Sequence, residues 1–279
     1  MLFYRVYVRI CHVQAKKLAK VLLFFDMTKY FLKKMQKIFI FLQIVIFRCH
    51  FYPQNALPIC IIQKFVVILR ANSGIMKVLL INGSPRKAGN TYLALSEVAK
   101  ELENNGVEAE IVSLGVKPVR SCIACNSCKA KGENKCVFDD DLCNEVTAKM
   151  KECDGLIVGS PVYYGQPNGG LLALVQRALY SAGVYFTGKP AAAVAVCRRG
   201  GATASLQTML MPFMMMHMPV VTSQYWNIVY GRDAGEAALD QEGMQTMRSL
   251  AKNMATMLKA LQFQPKPEYE ARQGMNFIR

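Results

Sequence analysis

Ten residues, Asn82 to Thr91, read Asn-Gly-Ser-Pro-Arg-Lys-Ala-Gly-Asn-Thr and follow the apolar run Met76-Lys77-Val78-Leu79-Leu80-Ile81. Hydroxyls, side-chain amides and the free N–H groups at a helix start would converge here on one point. Arg86 and Lys87 stand beside it as counter-charges. Oriented donors at the positive end of a helix dipole form an anion site, and phosphate is the anion such turns most often hold. The stretch lacks the Gly-Lys-Ser/Thr ending of the P-loop, and Gly83 and Gly89 do not make the dinucleotide fingerprint. An ordinary polar turn would account for Gly and Asn, but not for this density of donors next to a cation.

A second chemistry-bearing stretch is Cys122, Cys125, Cys128 and Cys136, spaced Cys-x2-Cys-x2-Cys-x7-Cys. Closely spaced thiolates can ligate a four-iron cluster. Four thiols can equally bind zinc, or stay reduced and redox-active, and spacing alone does not choose the metal. A disulfide framework is not expected, because no secretory signal precedes them. Cys143, Cys153 and Cys197 read as small buried hydrophobes.

The elements that must position these loops alternate strand and helix, the pattern of a parallel sheet covered on both faces. Strands are expected at 77–82, 108–114, 155–160, 191–197 and 219–223. Helices are expected near 91–105, 140–152, 169–182, 203–216 and 241–261, the first capped by Asn90 or Thr91. Five strands fit a doubly wound α/β sheet of order 2-1-3-4-5, whose ligands bind at the carboxyl strand ends beside the switch point between the first and third strands. Methionine is a soft gap filler, so the run Met209 to Met218 reads as helix-face core or a dimer surface. His217 among apolar neighbours reads as a satisfied core residue.

The Gly-Ser-Pro-Arg, spacer, Gly-Asn-Thr pattern resembles the phosphate loop of the flavodoxin-like NAD(P)H-dependent FMN reductases. Gly159-Ser160-Pro161-Val162-Tyr163-Tyr164-Gly165, after the apolar run Gly155 to Val158, is similar to that family's second signature. The resemblance runs from Met76 to about Gln262 and implies a flavodoxin-like fold with bound FMN and NAD(P)H as co-substrate. It implies that Ser84, Arg86, Gly89, Asn90 and Thr91 hold the phosphate, and that Pro161, Val162, Tyr163, Tyr164 and Gly165 bracket the ring. Backbone N–H groups there would stabilise negative charge on the reduced ring, so no acid or base side chain is named as catalytic.

In related flavoproteins the loop from Cys197 to Thr203 borders the flavin, so Arg199 and Gly200 join the set; a Gly-rich turn with solvated arginines is the alternative. The segment Tyr225-Trp226-Asn227 resembles one that lies near the partner subunit's flavin, which implies a homodimer or homotetramer. The cysteine pattern resembles that of the iron-sulfur flavoproteins, a branch of the same superfamily, and implies a 4Fe-4S cluster on Cys122, Cys125, Cys128 and Cys136. Two function classes stay open. One is a reductase passing hydride from NAD(P)H through FMN to a flavin, quinone, nitro or azo compound. The other is an electron carrier between redox proteins.

Charge separates residues 1–75 from the rest. They hold twelve Lys or Arg against the single acid Asp26, a net of +11, whereas the other 204 residues hold 22 cations and 18 acids, a net of +4. The basic balance therefore gives no support for nucleic-acid binding by the enzyme-like part. Apolar runs at Ile38–Phe47 and Phe65–Leu69 are too short to span a bilayer. A membrane-surface helix would need better-separated faces, and a small-residue cleavage site is missing. The expectation is a cytoplasmic protein translated from Met76, with 1–75 outside the fold, an FMN-binding domain at 76–263 and a tail at 264–279.

Overall fold

The computed structural model describes residues 76–262, 267–271 and 274. Residues 1–75, and with them the expected extension, lie outside the described residues. So does most of the expected tail; residues 267–271 and 274 belong to no helix or strand.

The elements in chain order are β1 (Lys77–Asn82), α1 (Asn90–Asn104), β2 (Glu108–Ser113), α2 (Ser127–Lys131), α3 (Cys143–Glu152) and β3 (Gly155–Tyr163). There follow β4 (Gln166–Pro167), α4 (Gly169–Ala182), β5 (Ala191–Cys197), α5 (Ala202–Met215), β6 (Ile228–Tyr230) and α6 (Gln241–Leu261). The sheet order is β2-β1-β3-β5-β6, all parallel, with β4 paired antiparallel to the end of β3. Taking the five parallel strands alone, this is the doubly wound, flavodoxin-like order 2-1-3-4-5.

Successive strand side chains point to opposite faces, and the core divides accordingly. Leu79, Ile81, Leu156, Val158 and alternate residues of β5 pack under α3, α4 and α5. Val78, Leu80, Ile157, Ala192 and Val194 pack under α1 and α6. Burial on both faces is why these strands are continuously apolar rather than alternating.

Four local expectations are corrected. The fifth strand is Ile228–Tyr230, in register Ala195↔Ile228, and not 219–223. The earlier run makes one isolated bridge, Ala191↔Val220, and the Thr222 carbonyl is taken by the Asn253 side chain at 2.7 Å. Helix α1 is preceded at its N-cap by Gly89 with no side-chain cap, because Asn90 is engaged elsewhere and Thr91 is buried. The helix expected from 140 begins at Cys143, since Asp140 and Asp141 are drawn into ion pairs. His217 is exposed rather than core, in a left-handed conformation with φ 54° and its ring 4.7 Å from that of Tyr269.

Candidate functional site

The phosphate-type loop starts from a buried anchor. Asn82 is fully buried, its Nδ2 donates to Ser113 Oγ at 3.1 Å, and its Oδ1 accepts the Ser84 N–H at 3.0 Å. Ser84 Oγ accepts the Arg86 N–H at 3.1 Å, and the Gly83 N–H reaches the Gly159 carbonyl at 2.8 Å. A Cβ on Gly83 would fall 2.8 Å from Leu171 Cδ2, so glycine is required for the loop to lie against the start of α4. These bonds lead into the first turn of α1, which has no side-chain cap and no acidic residue. Arg86 and Lys87 stay exposed beside it. An uncapped helix start with adjacent cations fits a phosphate monoester.

Asn90 has a different task from the one expected at the sequence level. Its Nδ2 donates to the Asp233 carbonyl at 2.9 Å, while its Oδ1 accepts the N–H groups of Gly235 at 3.0 Å and Ala237 at 3.3 Å. The side chain thus ties the loop after β6 to the start of α1. Thr91 is buried at that start.

β3 runs on through Pro161 and Val162 to Tyr163 and there turns back at once. Tyr163 pairs with Gln166, and the two residues between them, Tyr164 and Gly165, both have positive φ, 50° and 77°. That is the two-residue hairpin whose twist matches its strands. It leaves Tyr164 fully exposed at the tip, Tyr163 partly exposed, and Pro161 and Val162 half-buried. The loop after β5 meets it directly: Gly201, φ 84°, would carry a Cβ 2.6 Å from Gly165 Cα and 3.1 Å from Val162 Cγ1. Three of the expected loops therefore share the carboxyl edge of the sheet. Arg199 and Gly200 are exposed there and border a cavity of about 270 Å³ also lined by Tyr225, Trp226, Tyr230 and Glu242.

The cysteine loop leaves the same edge from β2 but is held against the second half of α4. Cys122, Cys125, Cys128 and Cys136 are all free and line one cleft with Arg177, Tyr180 and Ser181. Ala124, Asn126 and Asn134 sit at φ 52°, 59° and 53°. Left-handed residues of this kind curl the backbone so that N–H groups point inward, an arrangement recurrent at iron-sulfur sites. The Ala124 N–H donates to Cys122 Sγ at 3.4 Å. The hydroxyl and N–H of Ser127 hold the Cys125 thiol below its ordinary value. By contrast Cys143, Cys153 and Cys197 are buried as expected, and burial pushes the Cys143 thiol up to about 11.

Sequence reasoning missed the group behind this cleft. Arg177 is buried and paired with Asp141, which is equally sheltered. Its Nη1 also donates to the Arg120 carbonyl at 3.0 Å, and its Nη2 to the Phe138 carbonyl at 3.1 Å. Asp141 Oδ2 accepts the Arg120 N–H at 2.9 Å and Oδ1 the Cys143 N–H at 2.9 Å. The available signal was a lone arginine within an apolar helical run.

These features define a flavodoxin-like α/β protein with a polar loop at an uncapped helix start, a second edge loop and a thiol-lined cleft. The sequence matches the family described as NADPH-dependent FMN reductase over residues 76–233. An iron-sulfur flavoprotein of Methanocaldococcus jannaschii is 38% identical over 194 residues, 67% of this chain and 99% of the relative. One of Methanosarcina thermophila is 31% identical over 194 residues, 67% of this chain and 97% of the relative. Among solved structures, RosB with a bound 8-demethyl-8-formylriboflavin-5'-phosphate intermediate shares the fold, with a TM-score of 0.53 at 15% identity over 67% of this chain and 80% of that one. The chain belongs to this FMN reductase family, an FMN-binding family of oxidoreductases, and to its iron-sulfur flavoprotein branch. No helix among the described residues is long and apolar enough to cross a membrane.

Proposed function

We propose that the chain is an electron-transfer flavoprotein holding FMN along the carboxyl edge and a four-iron cluster in the cysteine cleft, and that it delivers electrons to a redox partner. When bound, FMN supplies exchange between two-electron and one-electron transfer, and the cluster supplies one-electron chemistry. The observation that carries this reading is that all four spaced cysteines line a single cleft. A cluster spreads its thiolates over separate irons, which suits thiols arranged around the walls of a cleft. The names of the two relatives support the same reading.

On the flavin side, Ser84, Arg86, Gly89 and Thr91 would hold the phosphate, with Asn90 keeping the neighbouring loop in place. Pro161 to Gly165, with Arg199 and Gly200, would border the ring. Spectra of the anaerobically purified chain, with iron and sulfide assays, test the proposal. FMN bands with a broad shoulder that dithionite bleaches are expected; FMN bands alone, with no iron, would overturn the cluster.

A second reading has its own support. The cavity beside Arg199 is lined by Tyr225 and Trp226, with ring centroids 4.9 Å apart. Aromatic walls next to a cation suit a planar, anionic donor or acceptor, as in NAD(P)H-dependent reduction of a quinone or nitro compound. Rapid mixing of oxidised protein with NADPH and NADH tests it: bleaching of the flavin on the turnover timescale supports a reductase, and no bleaching removes it.

A further inference from the structure

Arg177 presents a count of donors that does not close. A guanidinium has five N–H donors and no acceptor. Nη1 gives to the Arg120 carbonyl and to Asp141, and Nη2 gives to the Phe138 carbonyl. Nε is buried and has no hydrogen-bond partner, although the residue is only 1% exposed. A buried unsatisfied charged donor is costly and is retained where something else accepts from it. The cleft that Arg177 lines is the cysteine cleft, which Cys122, Cys125, Cys128 and Cys136 also line.

The two carbonyls held by Arg177 lie on opposite arms of the loop. Arg120 precedes Cys122 by two residues, and Phe138 follows Cys136 by two. One rigid fork on α4 therefore fixes both ends of the ligand-bearing segment. Further stitches close the same arms: Arg120 pairs with Asp140 at 2.5 Å and lies 4.8 Å over the Phe138 ring, and Tyr180 donates to Asn126 at 2.5 Å.

We infer that Arg177 is the positioning residue of the cysteine cleft, clamping both arms of the loop through the Arg120 and Phe138 carbonyls and keeping its unpaired Nε–H and its charge behind the thiols. The inference rests on the cluster reading proposed above. A buried cation with a free N–H beside ligand sulfurs would favour the reduced cluster, so its loss would make the cluster harder to reduce.

The test uses the full chain, reconstituted anaerobically with iron and sulfide, as wild type, Arg177→Lys and Arg177→Gln. Iron, sulfide and FMN contents are measured first, then the flavin and cluster midpoints by redox titration followed in absorbance and electron paramagnetic resonance. Expected is a cluster midpoint shifted to more negative potential in any variant that keeps its iron, with the flavin midpoint unchanged. The lysine variant retains a charge beside Asp141 and guards against simple misfolding of the glutamine one. Iron-replete variants with a wild-type cluster midpoint would overturn the role of Arg177 while leaving the cluster reading intact. Wild-type protein that takes up no iron would overturn both. Loss of iron from both variants at wild-type FMN content, which shows that the domain is still folded, would support the clamp.

Discussion

Gly201 and Gly165 touch backbone to backbone: a Cβ built on the first would sit 2.6 Å from the Cα of the second. That approach joins the loop leaving β5 to the hairpin leaving β3, and Gly201 itself holds φ 84°. Gly201→Ala should therefore lower stability by about 1–3 kcal/mol from the left-handed backbone alone, and the clash with Gly165 should part the loops. Thermal melting and FMN content after gel filtration check this, with Gly169→Ala, which meets no neighbour within 4 Å, as the control.

The phosphate loop makes a separable prediction. Arg86 is exposed and Thr91 buried at the uncapped start of α1. Arg86→Ala should weaken FMN retention about tenfold or more, since a hydrogen bond to a charged group contributes about 1.5–3 kcal/mol. Thr91→Val, which keeps the shape and removes the hydroxyl, should add to the loss. Fluorescence titration of the stripped protein with FMN measures both, and wild-type affinity in the double variant would remove these residues from the site.

The Arg177–Asp141 pair predicts a pH dependence. Burial alone would raise the Asp141 carboxyl, but the N–H groups of Cys143 and Arg120 and the Arg177 guanidinium outweigh it and hold the group below its ordinary 3.8. A carboxyl with a lowered folded value contributes stability that is complete above the unfolded value and is lost as pH falls through the folded one. Asp141→Asn should thus cost about 3–5 kcal/mol near neutrality, the range for breaking a buried pair. The gap from wild type should narrow only below about pH 4. Urea midpoints measured from pH 7 down to 3 give the comparison.

Among the described residues, 77–230 contain every strand of the sheet. A chain starting at Met76 should keep the melting temperature and flavin content of the full chain. A lower melting temperature for the shorter chain, by more than about 2 kcal/mol equivalent, would mean that apolar side chains of residues 1–75 pack onto the domain.

Much of this fold was legible without coordinates. The strands at 77–82, 155–160 and 191–197 are apolar runs that end in Gly, Pro or Cys-Arg-Arg turns, and burial on both faces leaves that pattern no other use. The 21-residue helix α6 shows the same legibility, because Met247, Leu250, Met254 and Leu258 recur on one face. The last strand was misplaced because Val220-Val221 and Ile228-Val229-Tyr230 are equally β-prone; pairing with β5 selected the second.

The sequence by itself determined the flavodoxin-like order, the polar loop after the first strand and the thiol spacing, since each is written in neighbouring residues whose chemistry is local. Only the tertiary structure decided that Asn90 serves a loop more than 140 residues away, that Tyr164 stands free at a turn, and that Arg177 backs the cysteines. The reason is separation along the chain. Arg177 meets Asp141 across 36 residues and the Arg120 carbonyl across 57, and no short-range periodicity records which buried charge a folded helix will bring against which distant loop.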